Sequence, residues 1–327
     1  MTRAGIAVAG SILYDDINAV ERYPAAGELV KILSVSRAPG GCVPNVGVDL
    51  AVMRPDRPVF AVGKVGDDDG GRFVCEKMRA AGMNVSGVRR DKNVATSFTQ
   101  VMSVPGGERT FFTHPGASAD FGFDDVDPDA LPVGMLHLGY FLLLDKIDQG
   151  DGAKILAACR ERGIKTSIDF VTEAPEKFAA IRPVLPLVDT LIVNEIEACR
   201  LAGIEEKAEN VRAAAEKLMG MGVRERVIVH LPAFGACLSK DGFTVSGSLL
   251  EPAGFKKGAT GAGDAFCAGA LLGIYDGRSD REILEFAAMA ATVSLSAPDA
   301  TSGMKKEAEI RTVCRDMAKK EIAISFQ

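Results

Sequence analysis

The chain has little of what several protein classes require. Its 327 residues include three histidines, His114, His137 and His230, far apart in sequence, so a histidine-based metal site is not expected. The seven cysteines (42, 75, 159, 199, 237, 267 and 314) are an odd number, widely scattered, with no C-x-x-C pair. That fits reduced, mostly buried thiols in a cytoplasmic protein rather than disulfides or zinc. No apolar run approaches the roughly 20 residues of a membrane span. The start, Met1 to Gly10, lacks the apolar core of a signal peptide and reads as a first strand. Basic residues are outnumbered, 38 against 44 acidic, leaving a net charge of −6, which argues against a nucleic-acid partner. Two phosphate-binding signatures are also missing. No Gly-Lys-Ser/Thr follows a glycine-rich run, and the dinucleotide fingerprint fails at its sixth place, where Phe266 stands.

What is present is concentrated in Gly258-Ala259-Thr260-Gly261-Ala262-Gly263-Asp264, followed by a run of small and apolar residues from Ala265 to Leu272. Glycines let the backbone turn tightly and expose its N–H groups. A helix start adds unpaired N–H groups and the positive end of a dipole. Together these seat an anion, typically phosphate. A carboxylate beside bound phosphate needs a task, and taking the proton of an attacking hydroxyl is the obvious one. The segment reads as an anion hole, Gly261 to Gly263, plus a general base, Asp264. The plainer alternative is a tight turn with an Asp cap.

Elsewhere short apolar runs alternate with amphipathic stretches. Ile6–Ala9, Val59–Val65, Met135–Leu138, Thr166–Asp169, Thr190–Val193 and Val227–Leu231 read as strands. Helical patterns lie between them, at Val46–Met53, Gly71–Ala81, Gly152–Arg162, Glu195–Ala202 and Val211–Met221. This alternation predicts an α/β fold, a mostly parallel sheet covered on both faces. After Asp264 the chain reads as helical, at Ala265–Ile274, Asp280–Ser296 and Lys305–Lys320. Two excursions, about 12–39 and 95–115, break the rhythm. The second reads as a hairpin, Thr96–Val104 and Glu108–Thr113 around Pro105-Gly106-Gly107. We expect them to form a small β lid inserted in one domain spanning 1–327, a means of keeping water from competing as phosphoryl acceptor. The exposed edges of such a lid could pair with a second copy, giving a homodimer.

Five motifs in order carry a family resemblance. They are Gly10-Ser11-Ile12-Leu13-Tyr14-Asp15, Gly40-Gly41-Cys42-Val43-Pro44-Asn45, Gly63-Lys64-Val65-Gly66-Asp67-Asp68-Asp69-Gly70, Asn194-Glu195-Ile196-Glu197 and Gly261-Ala262-Gly263-Asp264. Over nearly its whole length the chain resembles the ribokinase-like, PfkB-type carbohydrate kinases. The resemblance implies a Rossmann-like central sheet with a β lid, ATP as phosphate donor and Mg²⁺ as cofactor. It implies that Asp264 is the base, with the Ala262 and Gly263 N–H groups stabilising the transferring phosphoryl group. Asp15, Gly40, Gly41 and Asn45 would bind the sugar, Asp15 being favoured over its neighbour Asp16, and Arg109 on the lid is a further substrate candidate. Asn194, Gly235, Thr260, Gly261 and Gly263 would bind nucleotide, and Glu197 would hold Mg²⁺ through water. Read from the residues alone, Asn194 and Glu197 are equally a helix cap and its partner. Many relatives carry Asp-Thr where Gly258-Ala259 stands, which leaves activation by a monovalent cation open. His230-Leu231-Pro232 replaces the usual Thr-x-Gly, so nucleotide contacts there would differ. The substrate expected is a sugar or sugar acid. The rivals are a nucleoside, with Phe98, Phe111 and Phe112 as candidate platforms, a non-catalytic sugar-binding protein, and an NAD-dependent oxidoreductase.

Overall fold

The computed structural model describes residues 4–104 and 109–326. Its strands, in chain order, are β1 (Ile6–Ala9), β2 (Leu13–Val20), β3 (Ile32–Gly40), β4 (Val59–Gly66), β5 (Asn84–Asp91), β6 (Ser97–Ser103), β7 (Arg109–His114), β8 (Met135–Phe141), β9 (Lys165–Phe170), β10 (Thr190–Asn194), β11 (Arg226–His230), β12 (Phe234–Ser239) and β13 (Gly242–Gly247). The helices are α1 (Cys42–Met53), α2 (Asp69–Ala80), α3 (Gly116–Ala119), α4 (Gly152–Glu161), α5 (Pro175–Ile181), α6 (Glu195–Ala202), α7 (Val211–Gly220), α8 (Ala262–Tyr275), α9 (Asp280–Ser294) and α10 (Glu307–Cys314).

Nine strands make one sheet in the order β13-β12-β11-β10-β9-β8-β1-β4-β5. From β11 to β5 every pairing is parallel, while β12 and β13 add an antiparallel edge. The inner strands are apolar throughout because helices cover both faces. Two buried clusters result, one on each side of the sheet. The strand order reverses at β1 and β8, and open α/β sheets leave a crevice at the carboxyl ends of such strands. Gly10 and Ser11 follow β1 there, and Tyr140 closes β8.

The second sheet has the order β3-β2-β6-β7, with β2 and β6 parallel. Its strands fall in the two excursions, although the turn expected at Pro105–Gly107, with Glu108, lies outside the described residues. Val35, Phe111 and Phe112 are exposed on it.

Helix α8 is apolar on all sides and buried from Asp264 to Gly273, as a helix sunk in a core must be. It is flanked by α1 and α9. Gly269 makes the second contact possible, since a Cβ there would stand 2.8 Å from the Ala287 Cα. Two expectations were incomplete. Strands β5, β12 and β13 are additions to the sheet, all towards its edges, where one-sided burial blurs the apolar pattern. The last helix ends at Cys314 rather than Lys320, because Lys319 forms a β-bridge with Leu249. Among the described residues no helix is long and apolar enough to cross a membrane.

The α8–α9 contact makes a prediction. Gly269→Leu should lower unfolding stability in urea by about 3 kcal/mol through overpacking. Gly220→Leu, where a Cβ meets nothing within 4 Å, should leave stability nearly unchanged.

Candidate active site

The loop before α8 turns at Gly261, the residue that caps the helix in left-handed conformation with φ 77. A side chain there would collide with Ala300, whose Cα lies 2.7 Å from the ideal Cβ position. First-turn N–H groups have no acceptor within their own helix. The Ala262 N–H turns back to the Ala259 carbonyl at 3.3 Å, so Gly263 and Asp264 supply the free first-turn amides among the described residues. That moves the expected donor pair along by one residue.

Asp264 is the only charged side chain of α8 and is 8% exposed. Asn45 Nδ2 donates to its Oδ2 at 3.0 Å, and the Tyr140 hydroxyl lies 3.0 Å from both oxygens. Burial, then the charge of Asp169, push its carboxyl up to about 7, against the lowering effect of those two hydrogen bonds. Asn45 comes from the first turns of α1, behind Gly41, whose φ of 88 and contact with the Ser11 carbonyl admit only glycine without strain. Asn45 Oδ1 is buried and has no partner among the described residues, so one acceptor is left open beside Asp264. One turn further on α1, Asp49 is fully buried with neither oxygen hydrogen-bonded. Burial first, then Asp264 and Asp299, hold its carboxyl far above the usual range.

Asp15 and Asp16 point to opposite faces of β2, as neighbours on a strand do. Asp16 is taken up by Arg37, at 2.6 and 3.1 Å, and by Gln100 at 3.1 Å. Asp15 lies over Gly40, where a Cβ would come within 2.9 Å of its Oδ2. Its carboxyl is pushed up to about 6 by burial and then by Asp16. The third motif is structural. Asp68 caps α2 through the Gly71 N–H and ties down Thr96, while Asp69 and Asp67 pair with Arg72 and Arg90.

Two adjoining cavities meet at the start of α8. One, of about 250 Å³, is lined by Asp264, Tyr140, Asp169, Thr172, Glu197 and Cys267 among others. The other, of about 400 Å³, is a largely apolar slot with Leu231, Pro232, Leu249, Ala288 and Leu295, and with Lys256 and Lys320 on its wall. Asn194, His230, Ala259, Ala262 and Gly263 border both. Asn194 and Glu197 do form a reciprocal cap of α6, and Glu197 also accepts from Thr172 Oγ1 at 2.7 Å. Burial raises the Glu197 carboxyl to about 7. The cap and the cavity wall are therefore the same two side chains. Gly235 is not on either wall. It pairs with His230 across β11 and β12, and a Cβ there would meet Phe266 at 3.1 Å. The structure places it in the packing beneath the slot. Thr260 is exposed and accepts from Arg109 Nη1 at 3.0 Å, so the small sheet reaches the anion-hole loop.

Sequence reasoning missed Tyr140 and Asp169, and it noted His230 only as a departure from the usual Thr-x-Gly. Tyr140 has φ 62, rare for a non-glycine residue, and this bend turns its N–H to Asp169 Oδ1 at 2.6 Å and its hydroxyl to Asp264. Burial lowers the His230 imidazole to about 4, so it is neutral at pH 7. The one signal available was position. All three stand at the carboxyl ends of β8, β9 and β11.

The sequence matches the pfkB family carbohydrate kinases over residues 3–307, and the chain belongs to that family. It is a phosphotransferase with an alcohol group as acceptor. Among individual relatives it is 27% identical to the ribokinase of Arabidopsis thaliana over 305 residues, covering 91% of this chain and 78% of that one. It is 29% identical to the aminoimidazole riboside kinase of Salmonella typhimurium over 255 residues, 73% and 74% of the two chains. The solved structure of Arabidopsis thaliana ribokinase complexed with ribose and ATP shares the fold, with a TM-score of 0.79, 24% identity and coverage of 95% and 99%.

The raised Asp264 carboxyl has a consequence for stability. In the folded state it keeps a proton that the unfolded chain releases near pH 4, so wild-type stability falls as pH rises from about 4 to about 7. Asp264→Asn cannot ionise. Its unfolding free energy in urea should match wild type near pH 4 and exceed it increasingly up to about pH 7, by a few kcal/mol at about 1.4 kcal/mol per pKa unit.

Proposed function

We propose that the chain transfers the γ-phosphoryl group of ATP to a primary hydroxyl of a sugar or sugar derivative. The observation that carries this reading is Asp264, a buried carboxylate at a helix N-terminus where two cavities meet. The acceptor sits in the smaller cavity and under the small sheet, with Asn45 Oδ1 and the Asp15 carboxylate accepting from its other hydroxyls. Asp264 takes the proton of the attacking hydroxyl, whose oxygen forms the new bond to the γ-phosphorus as the bond to ADP breaks. The Gly263 and Asp264 amides and the α8 dipole stabilise charge on the phosphoryl oxygens. Arg109, held above the loop by Thr260, adds a cation. The apolar slot suits the base of the nucleotide, with Lys256 and Lys320 near by.

Mg²⁺ supplies charge neutralisation along the phosphates. The donors that fit it are oxygens at Glu197, and since both already accept hydrogen bonds, contact runs through water. Phe98 is stacked on Tyr14 and tilted against His114, and Phe111 and Phe112 are 60% exposed, which favours a sugar over a nucleoside. The exposed Leu29, Ile32, Leu33 and Val35 on and beside β3 support a homodimer through the small sheet, to be read as twice the chain mass by light scattering.

ADP release with ATP and Mg²⁺ across sugars, sugar acids and nucleosides tests the reading. One class should turn over, and Asp264→Ala should cut kcat by about 10²–10⁴. Equal turnover in wild type and variant would remove Asp264 from the mechanism. Because the base must be ionised, kcat/KM should rise with pH through about 7. Tyr140→Phe removes a donor to the carboxylate, so that limb should move to higher pH.

A further inference from the structure

Under the floor of the smaller cavity three lone-pair donors converge. His137 on β8, Asp169 on β9 and Cys267 on α8 place Nε2, a carboxylate oxygen and Sγ all within 4.8 Å of one another. The Cys267 sulfur is 3.6 Å from His137 Nε2, which is 3.3 Å from Asp169 Oδ2. A tetrahedral zinc ion with ordinary bond lengths holds sulfur and nitrogen about 3.6 Å apart, and nitrogen and oxygen about 3.4 Å apart. The donors are thus already spaced for it.

Their outer supports match as well. His137 Nδ1 lies 3.0 Å from Ser167 Oγ, a hydroxyl able to accept the Nδ1 proton when Nε2 holds an ion. Asp169 Oδ1 accepts the Tyr140 N–H at 2.6 Å, leaving Oδ2 for an ion. Asp169 and Cys267 line the cavity, so an ion has a way in, and a fourth position faces that cavity. Among the described residues no lysine or arginine is hydrogen-bonded to any of the three.

We infer that His137 Nε2, Asp169 Oδ2 and Cys267 Sγ form a binding site for Zn²⁺ or an ion like it, entered from the catalytic cavity. Thiolate and imidazole select such borderline ions, whereas Mg²⁺ prefers oxygen alone and does not compete. Binding expels the Cys267 thiol proton to solvent, while the imidazole of His137 carries its proton on Nδ1, facing Ser167 Oγ. The bound ion stands beside Tyr140 and Asp264, and its open position faces the space the acceptor hydroxyl needs. Its effect is reversible inhibition, a consequence that rests on the phosphotransfer reading above.

Cobalt is the probe. One equivalent of Co²⁺ added to the full chain should give the near-ultraviolet thiolate-to-cobalt absorption and the strong visible bands of a tetrahedral site, both abolished by one equivalent of Zn²⁺. Cys267→Ala should lose the thiolate band, as should Cys267→Ser, which keeps the side-chain size should the alanine variant fold poorly. Cys75→Ala, at a buried thiol elsewhere, should keep it. Absence of the band in wild type, or its persistence in both Cys267 variants, overturns the site. Under excess Mg²⁺, zinc should abolish turnover of wild type, and a zinc-selective chelator should restore it. The spectra do not depend on turnover, so failure of the kinase reading and failure of the metal site are told apart.

Discussion

Buried negative charge without a basic partner is the constraint on which the site depends. Asp189 and Asp280 are also buried, and each meets an arginine at 2.8 Å, Arg224 and Arg226 respectively. Asp49, Asp169, Glu197 and Asp264 have no such partner among the described residues. Removing a carboxylate from water is costly unless it is paired, and otherwise the group keeps its proton. Hydroxyls, amides and one helix dipole take the place of cations here. The region therefore waits for positive charge to arrive with a ligand. Of the cations near it, Lys256 and Lys320 stand on the wall of the apolar slot and Arg109 is bonded to Thr260, and among the described residues none is hydrogen-bonded to Asp264.

Much of this was legible in the sequence. The inner strands read correctly because burial on both faces makes them continuously apolar, and α8 read correctly because Gly261-Ala262-Gly263-Asp264 announces a capped helix carrying one acid. The edges read poorly: β5 alternates irregularly, and β12 and β13 are antiparallel additions that the α/β alternation does not call for. The Asn194–Glu197 alternatives proved not to exclude each other, since a cap at the end of β10 is also part of a cavity wall. Tyr140 was invisible because nothing in a sequence marks a tyrosine forced to φ 62. His137 and Cys267 are 130 residues apart, and only sheet order brings them together.

The small sheet separates the two adjacent acids of β2. Of two adjacent acids on β2, the one facing Arg37 and Gln100 is already satisfied, and the other is left beside Gly40. The pleat makes that choice, since a strand cannot send neighbours to the same face. Arg109 then ties the far edge of the same sheet to the anion-hole loop through Thr260, a single hydrogen bond between exposed groups. A contact of that kind breaks and re-forms easily, as a covering element over a site must.

Asp264 sits on the helix around which the rest of the chain packs, with Asn45 beside it on buried α1, whereas Asp15 and Arg109 sit on strands of the small sheet. A substitution in the first set disturbs the core. A substitution in the second disturbs little beyond itself. On the phosphotransfer reading proposed above, heritable change in this chain is thus channelled: preference for one acceptor over another can drift and be selected while the general base is held fixed by its neighbours.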